Sequence, residues 1–192
     1  MADKKTVSEL KKAKKKWIEI VAPKEFNGAV IGETLCSELN SVIGKRLSVN
    51  LMQLTGDIKK QSINIKFRID KVSGNQALTE IVGYELSSFY LKRLTRRTKG
   101  KLEDSFLAES KDKVKFRIKP LMFAKNETKK SIMAHLRKEI RNFLIENSAK
   151  LDFSQVIYSV ISNQFQKELK QSLKKIYPLA ISEIRVLEKE RV

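Results

Sequence analysis

His135 and Cys36 are the side chains of this sequence best suited to acid–base or nucleophilic catalysis, and each is the single residue of its type. A catalytic histidine needs a nucleophile or an orienting partner, and no nucleophile-elbow pattern frames either residue. One histidine and one cysteine cannot complete a zinc site, and the adjacent acids Glu103 and Asp104 need not face together to hold metal ions. The glycines form neither a P-loop nor a dinucleotide fingerprint. The sequence therefore predicts no enzyme, no metal site and no cofactor.

The basic side chains are more informative than these candidates. Forty lysines and arginines stand against 22 acids in 192 residues, which gives a formal net charge of +18. Like charge in this excess repels itself unless a polyanion neutralises it, and nucleic-acid phosphate is the commonest such partner. The hydrophobic content of 41% is enough for a packed core. We therefore expect a folded protein that lies against RNA or DNA.

Four groups of cations are the predicted phosphate contacts. Segment 1–16 contains seven lysines and little apolar surface, so we expect a flexible arm that folds on RNA; a solvated tail, a targeting signal and a membrane-surface anchor are the alternatives. Residues 92–101 hold six cations and no acid, more than a helix C-terminus needs to stabilise its dipole. Along 113–119 the cations alternate about 7 Å apart, close to the phosphate spacing of one strand. The helix at 127–147 carries the fourth group. The predicted RNA-binding residues are Lys11, Lys12, Lys14, Lys15, Lys16, Lys92, Arg93, Arg96, Arg97, Lys99, Lys101, Lys113, Lys115, Arg117, Lys119, Lys130, Arg137, Lys138 and Arg141.

Apolar periodicity predicts the elements that position these cations. Period-two alternation indicates mostly antiparallel strands with one buried face, and Ser73, Gly74 and Asn75 have the chemistry of a hairpin turn. Trp17 either stacks on a base or covers the core. The fold class is α+β, as one RNA-binding domain over 17–192 behind the 1–16 tail, with five or six strands. The predicted strands are 17–22, 47–51, 63–69, 78–84, 113–119 and 180–189. The predicted helices are a short one near 33–43, one at 87–99 with Phe89, Tyr90, Leu91 and Leu94 as its apolar side chains, and two long C-terminal ones at 127–147 and 153–176. Ser87 or Ser88 is the predicted N-cap of the helix at 87–99, and Asp152 with Gln155 has the spacing of a capping box before the last helix.

Each of the two long helices has a predicted apolar stripe. In the helix at 127–147 the stripe is Ile132, Leu136, Ile140, Phe143 and Asn147. In the helix at 153–176 it is Phe153, Ile157, Ile161, Phe165, Leu169 and Leu173.

Five segments in a fixed order carry a resemblance to a known family. They are KKWIEIVAPKEFN at 15–27, GKRLSVNL at 44–51, INIKFRIDKVSGNQALTEIVGYEL at 63–86, KVKFRIKP at 113–120 and KKIYPLAISEIRVLE at 174–188. Together they resemble the archaeal and eukaryotic small-subunit ribosomal proteins of the S-three-A-e (S-one-e) family, most closely its shorter archaeal members. No single motif is diagnostic, but the ordered set is specific and covers about Lys14 to Glu188. Eukaryotic members continue well past the final strand, so the contacts of that extension are not carried over.

The resemblance implies a β-barrel-like body with packed helices on the platform side of the small ribosomal subunit, near the messenger exit. The implied partners are small-subunit ribosomal RNA, neighbouring platform proteins and messenger RNA at the exit side. No run approaches the ~20 apolar residues that span a bilayer, and the charged N-terminus lacks a signal peptide's apolar stretch, so we expect a cytoplasmic protein without a membrane partner. A free RNA chaperone or translational regulator is the alternative, and a nuclease is disfavoured for want of a catalytic centre.

Overall fold

The structure is a computed structural model that describes residues 15–97 and 100–190. Nine strands and five helices lie in these residues, which confirms a mixed α+β architecture with more strands than the sequence predicts. No helix of the described part is long and apolar enough to cross a membrane. The strands are β1 (Lys16–Val21), β2 (Val30–Cys36), β3 (Arg46–Asn50), β4 (Ile63–Ser73), β5 (Gln76–Leu86), β6 (Lys101–Glu103), β7 (Phe106–Glu109), β8 (Lys115–Ala124) and β9 (Leu179–Lys189). The helices are α1 (Leu51–Thr55), α2 (Ser88–Arg97), α3 (Lys130–Ser148), α4 (Phe153–Ile161) and α5 (Gln164–Leu173), and 3₁₀ turns occur at Lys24–Phe26, Leu39–Val42 and Ile58–Lys60.

The described chain divides into two compact units. The first contains the described residues up to Val49 together with Phe67–Ile81, and the second contains Asn50–Lys66 and the described residues from Val82 onward. A single domain over 17–192 therefore stays a prediction, as does closure of the strands into a barrel. β1 begins at Lys16, so its pairing with β2 starts inside the segment that composition predicts as tail.

The first unit is organised around β1. This strand pairs antiparallel with β2 and parallel with the start of β5. Alternate residues of β1 point inward, and Ile18 and Ile20 pack with buried side chains of the neighbouring segments, which are Cys36, Val42, Ile69 and Ala77. Phe26 meets Phe67 edge-on, with ring centroids 5.9 Å apart. The predicted turn closes the β4–β5 hairpin, where Gly74 has a φ of +60° that glycine adopts without strain.

In the second unit, helices pack against the part of the sheet that contains β7, β8 and β9. β9 pairs antiparallel with β8 and with the second half of β5, while β6 and β7 both pair with β8. α3 packs against β7 and α5 against β9, and Phe116 of β8 lies 5.4 Å from Phe153 at the start of α4. The buried stripe of α3 is Leu136, Ile140, Leu144 and Ser148, one position round from the predicted stripe at its C-terminal end.

The predicted helix near 33–43 is wrong. Residues Val30–Cys36 form β2, and only Leu39–Val42 turn as a short 3₁₀ helix. β2 pairs antiparallel with β1 from Cys36 back to Val30, with a register shift opposite Ile20 and Val21. Pairing between segments decided this element, rather than local propensity.

The predicted helix at 153–176 is two helices. α4 ends at Ile161, and Asn163 precedes α5 in the left-handed region with a φ of 60°. The apolar residues of this segment recur every four positions, and a straight helix turns about 40° too far at each such step, or about 200° over five steps. The break resets the register, so all six predicted apolar residues are buried: Phe153, Ile157, Ile161, Phe165, Leu169 and Leu173. The predicted capping box is confirmed, since the Gln155 side chain accepts the Asp152 backbone N–H at 3.3 Å.

β8 extends further than the alternation predicts. It continues through Pro120 to Ala124, and its register with β9 shifts between Lys119 and Pro120. Proline has no N–H to donate to a ladder, and such an irregularity is where a sheet accommodates it. β8 begins only at Lys115, because Lys113 occupies the preceding turn with a φ of +60°.

Candidate nucleic-acid interface

The α2 helix presents the clearest cluster of cations. The Ser87 hydroxyl accepts the Tyr90 backbone N–H at 3.4 Å, which caps the helix as its sequence predicts. Lys92, Arg93 and Arg96 are all exposed on the helix surface. The backbone of Arg97 belongs to α2, but its side chain and all of Lys99 lie outside the described residues. Three predicted cations are thus brought onto one short, capped element.

A cleft of about 870 Å³ lies between α2 and the 3₁₀ turn Ile58–Lys60. Cations Lys59, Lys92, Arg93 and Arg96 line it together with Phe89 and Ile58, and no carboxylate is among its lining residues in the described part of the chain. Phe89, one of the four apolar side chains of the predicted helix, is 90% exposed. Ile58 is 75% exposed. The cleft therefore combines open apolar surface with positive charge.

Tyr90 is held in place beneath this cleft. Its hydroxyl donates to Glu183 Oε1 of β9 at 3.3 Å, and the Arg93 guanidinium lies 5.2 Å from its ring centroid. Burial raises the pKa of Glu183 above its ordinary value, although the Tyr90 hydrogen bond acts in the opposite direction. Burial and the Glu183 carboxylate likewise raise the pKa of Tyr90, so its hydroxyl stays protonated and keeps donating. The hydrogen bond ties α2 to the sheet.

Only three of the four cations predicted along 113–119 lie on β8. Lys115 and Arg117 project to solvent from the strand and Lys119 is half-buried, whereas Lys113 is exposed in the turn before it. Arg117 lies 3.7 Å from Glu190. The strand therefore carries three cations, one of which already has an acidic neighbour.

The predicted cations of α3 are of two kinds: three are exposed, and the fourth forms an ion pair. Lys130, Arg137 and Lys138 are exposed. Arg141 instead forms a forked ion pair with Asp104, in which Nη2 lies 2.8 Å from Oδ2, and it also stacks over Phe106 at 5.5 Å. A bidentate pair of this kind is stronger than a single surface contact.

Lys15 and Lys16 are exposed at the start of the first unit, and Trp17 beside them is 61% exposed. Trp17 therefore does not cover the core, and its stacking on a base stays a prediction. The other predicted contacts of the N-terminal segment lie outside the described residues; they are Lys11, Lys12 and Lys14.

Two cations of the second unit were missed by sequence reasoning. Lys59 lines the α2 cleft, and Arg185 of β9 lines a neighbouring cleft together with Lys92, Arg96 and Lys101. The pair Lys59-Lys60 was a readable signal, since it is a short basic run two residues after the Asp57 cap. Arg185 had no such signal, because a single cation on an alternating strand is ordinary. Lys101 itself is paired with Glu103 at 2.8 Å.

Exposed cations on a folded α+β body, with open aromatic rings among them, are the features expected of a protein that binds the RNA backbone. The profile of the Ribosomal S3Ae family matches residues 2–190, and the chain belongs to this family. It is therefore a ribosomal protein and not an enzyme, which confirms both the resemblance read from the sequence and the predicted absence of catalysis.

Curated relatives agree with this assignment. The chain is 31% identical over 177 residues to the small ribosomal subunit protein eS1 of Methanothermobacter thermautotrophicus, covering 91% of each chain. It is 32% identical to the protein of the same name from Archaeoglobus fulgidus, over 91% of this chain and 83% of the relative. For Saccharolobus islandicus eS1 the identity is 33%, over 88% of this chain and 82% of the relative.

Proposed function

We propose that this protein is a structural constituent of the small ribosomal subunit and binds small-subunit ribosomal RNA through its exposed cations. The observation that carries the proposal is the α2 cluster, where Lys92, Arg93 and Arg96 stand exposed on one element of a member of the Ribosomal S3Ae family. Contacts of this kind neutralise phosphates and hold RNA tertiary structure without reading base sequence. Relatives named as small ribosomal subunit proteins support the same subunit for this chain.

The finer placement follows the resemblance to the family. We propose a position on the platform side of the subunit in the cytoplasm, near the messenger exit, with platform proteins and messenger RNA as neighbours. The exposed cations lie on a helix, a strand and a second helix. This arrangement allows contact with several RNA segments that converge at this position. The N-terminal lysines would add further phosphate contacts of the same kind.

Crosslinking of assembled subunits, followed by mapping of the bound RNA, tests this placement. We expect α2 and β8 lysines to crosslink to small-subunit ribosomal RNA, and the native protein to sediment with the small subunit after a moderate salt wash. Recovery of the protein in the free fraction under that wash would instead identify a dissociable RNA chaperone or regulator.

Removing residues 1–14 should make binding less dependent on salt. The deletion removes five lysines and leaves β1 intact from Lys16. If about half of them engage phosphate, the slope of log affinity against log salt should become shallower by roughly 2 units, because each contact contributes close to one. A salt titration on a small-subunit rRNA fragment measures the slope. An unchanged slope would show that these lysines are only solvated.

A further inference from the structure

Phe89 and Ile58 are the two most exposed of the large hydrophobic side chains in the described residues, at 90% and 75%. Single exposed apolar residues are ordinary on a protein surface. These two, however, line the same cleft beside α2. Phe89 lies in the first turn of a capped helix, so its ring is presented to solvent by a defined backbone. The cleft therefore offers an aromatic face that no described part of this chain covers.

The charges around this face indicate what covers it. Four cations line the cleft and no acid does, among the residues that the structure describes. Arg93 already lies over the ring of Tyr90, whose hydroxyl is bonded to Glu183, so Phe89 is the aromatic face left open. An open aromatic ring surrounded by cations is the arrangement with which proteins hold unpaired nucleotides, the base on the ring and the phosphates on the cations.

We infer that this cleft binds an unpaired RNA nucleotide, whose base stacks on Phe89 while Lys59, Lys92, Arg93 and Arg96 hold the adjoining phosphates. The cleft volume of about 870 Å³ is large enough for a nucleotide with its flanking phosphates. The inference rests on the proposed RNA-binding function and adds a second kind of contact to it. Backbone contacts alone would accept a duplex, whereas stacking on Phe89 requires a base that is out of its helix.

Phe89→Ala separates stacking from phosphate binding. We expect the affinity for a small-subunit rRNA fragment that contains unpaired bases to fall about 5- to 100-fold, the range for loss of one stacked base. The salt slope should stay unchanged, because no cation is lost. Phe89→Tyr should retain most of the affinity, since it keeps an aromatic face. Leu107→Ala is the matched control, an exposed apolar residue of β7 in the same unit and outside the cleft, and should bind as the wild type.

Fluorescence reports the stacked base directly. Trp17 is the single tryptophan of the chain, so Trp17→Phe with Phe89→Trp places the one indole in the cleft. A single-stranded oligouridylate or oligoadenylate should quench this indole. A fully paired RNA duplex should bind without quenching it. Trp17→Phe alone provides the reference affinity.

The possible failures are distinguishable. Normal affinity of Phe89→Ala and no quenching at position 89, in a protein that still binds RNA with a steep salt slope, would overturn the inference and leave the proposed function standing. No RNA binding by the wild type would overturn both. Normal RNA affinity of Phe89→Ala with loss of incorporation into subunits would assign the cleft to an acidic protein segment and would overturn the inference.

Discussion

Replacing Lys92, Arg93 and Arg96 by alanine should weaken binding to a small-subunit rRNA fragment roughly a hundredfold at about 0.15 M salt. The three side chains are exposed and line one acid-free cleft. If each neutralises one phosphate, the slope of log affinity against log salt should fall by about 2–3 units. Preference among RNA sequences should not change, because phosphates carry no base information. Salt titrations of the wild type and the variant measure both quantities.

A second triple variant provides a control of equal charge. Its three cations are also predicted RNA contacts, but each has an acidic neighbour in the structure; they are Lys101 with Glu103, Arg117 with Glu190 and Arg141 with Asp104. Replacing them by alanine removes the same three positive charges. We expect a smaller loss of affinity and a smaller change of slope for this variant. In the wild type these cations must leave their ion pairs before they bind phosphate, and that cost cancels part of the free energy gained from the phosphate. Equal slopes for both variants would show that net charge alone governs binding. Thermal unfolding of each variant checks that loss of the Arg141–Asp104 ion pair has not destabilised the fold.

Gly83→Ala should be the most destabilising single methyl addition at a glycine in the described sheet. A Cβ at this position would lie 2.7 Å from the carbonyl oxygen of Leu187 and 3.2 Å from Cα of Glu188. Both are backbone atoms of β9, which pairs with β5 at this point and cannot move aside as a side chain would. We expect the free energy of unfolding to fall by about 3 kcal/mol, the upper part of the range for an overpacked site. Urea unfolding followed by circular dichroism measures it.

Gly32→Ala is the matched control for this substitution. Gly32 also lies in a strand, β2, but nothing stands within 4 Å of its added Cβ and its φ is not positive. We expect no loss, and a gain of up to about 1 kcal/mol from the less flexible unfolded chain. The Gly83→Ala variant should also bind RNA more weakly. β9 carries Glu183, whose carboxylate accepts the hydrogen bond from Tyr90 of α2, so a disturbed β9 should loosen α2. A similar stability for both variants would contradict the close approach of β9 to β5.

Local pattern was enough to predict the elements whose burial repeats with their own period. Ile63, Ile65, Phe67 and Ile69 alternate inward along β4, and Gly74 closes the hairpin after it. Phe116 and Ile118 are buried on β8 for the same reason. Each of these signals lies within a few residues, since a strand with one buried face must place apolar side chains at every second position.

Elements that depend on a distant partner were not predictable in this way. β2 is a strand because β1 pairs with it, and β8 continues through Pro120 because β9 shifts register there. The break at Asn163 lies in a stretch without glycine or proline, where the four-residue repeat of apolar positions was the signal available. Phe89 is one of the apolar side chains of its helix, yet the packing of α2 leaves it exposed.

The sequence by itself predicted that this protein binds a polyanion, because a net charge of +18 does not depend on how the chain folds. It also determined the family, whose segments stand in order along the chain. Only the tertiary structure decided which cations are available. Arg141 meets Asp104 from 37 residues away, whereas Lys92, Arg93 and Arg96 line a cleft with no acid among its described residues. Ion pairs form between side chains that folding brings within about 4 Å, and no spacing along the sequence encodes that distance for residues so far apart.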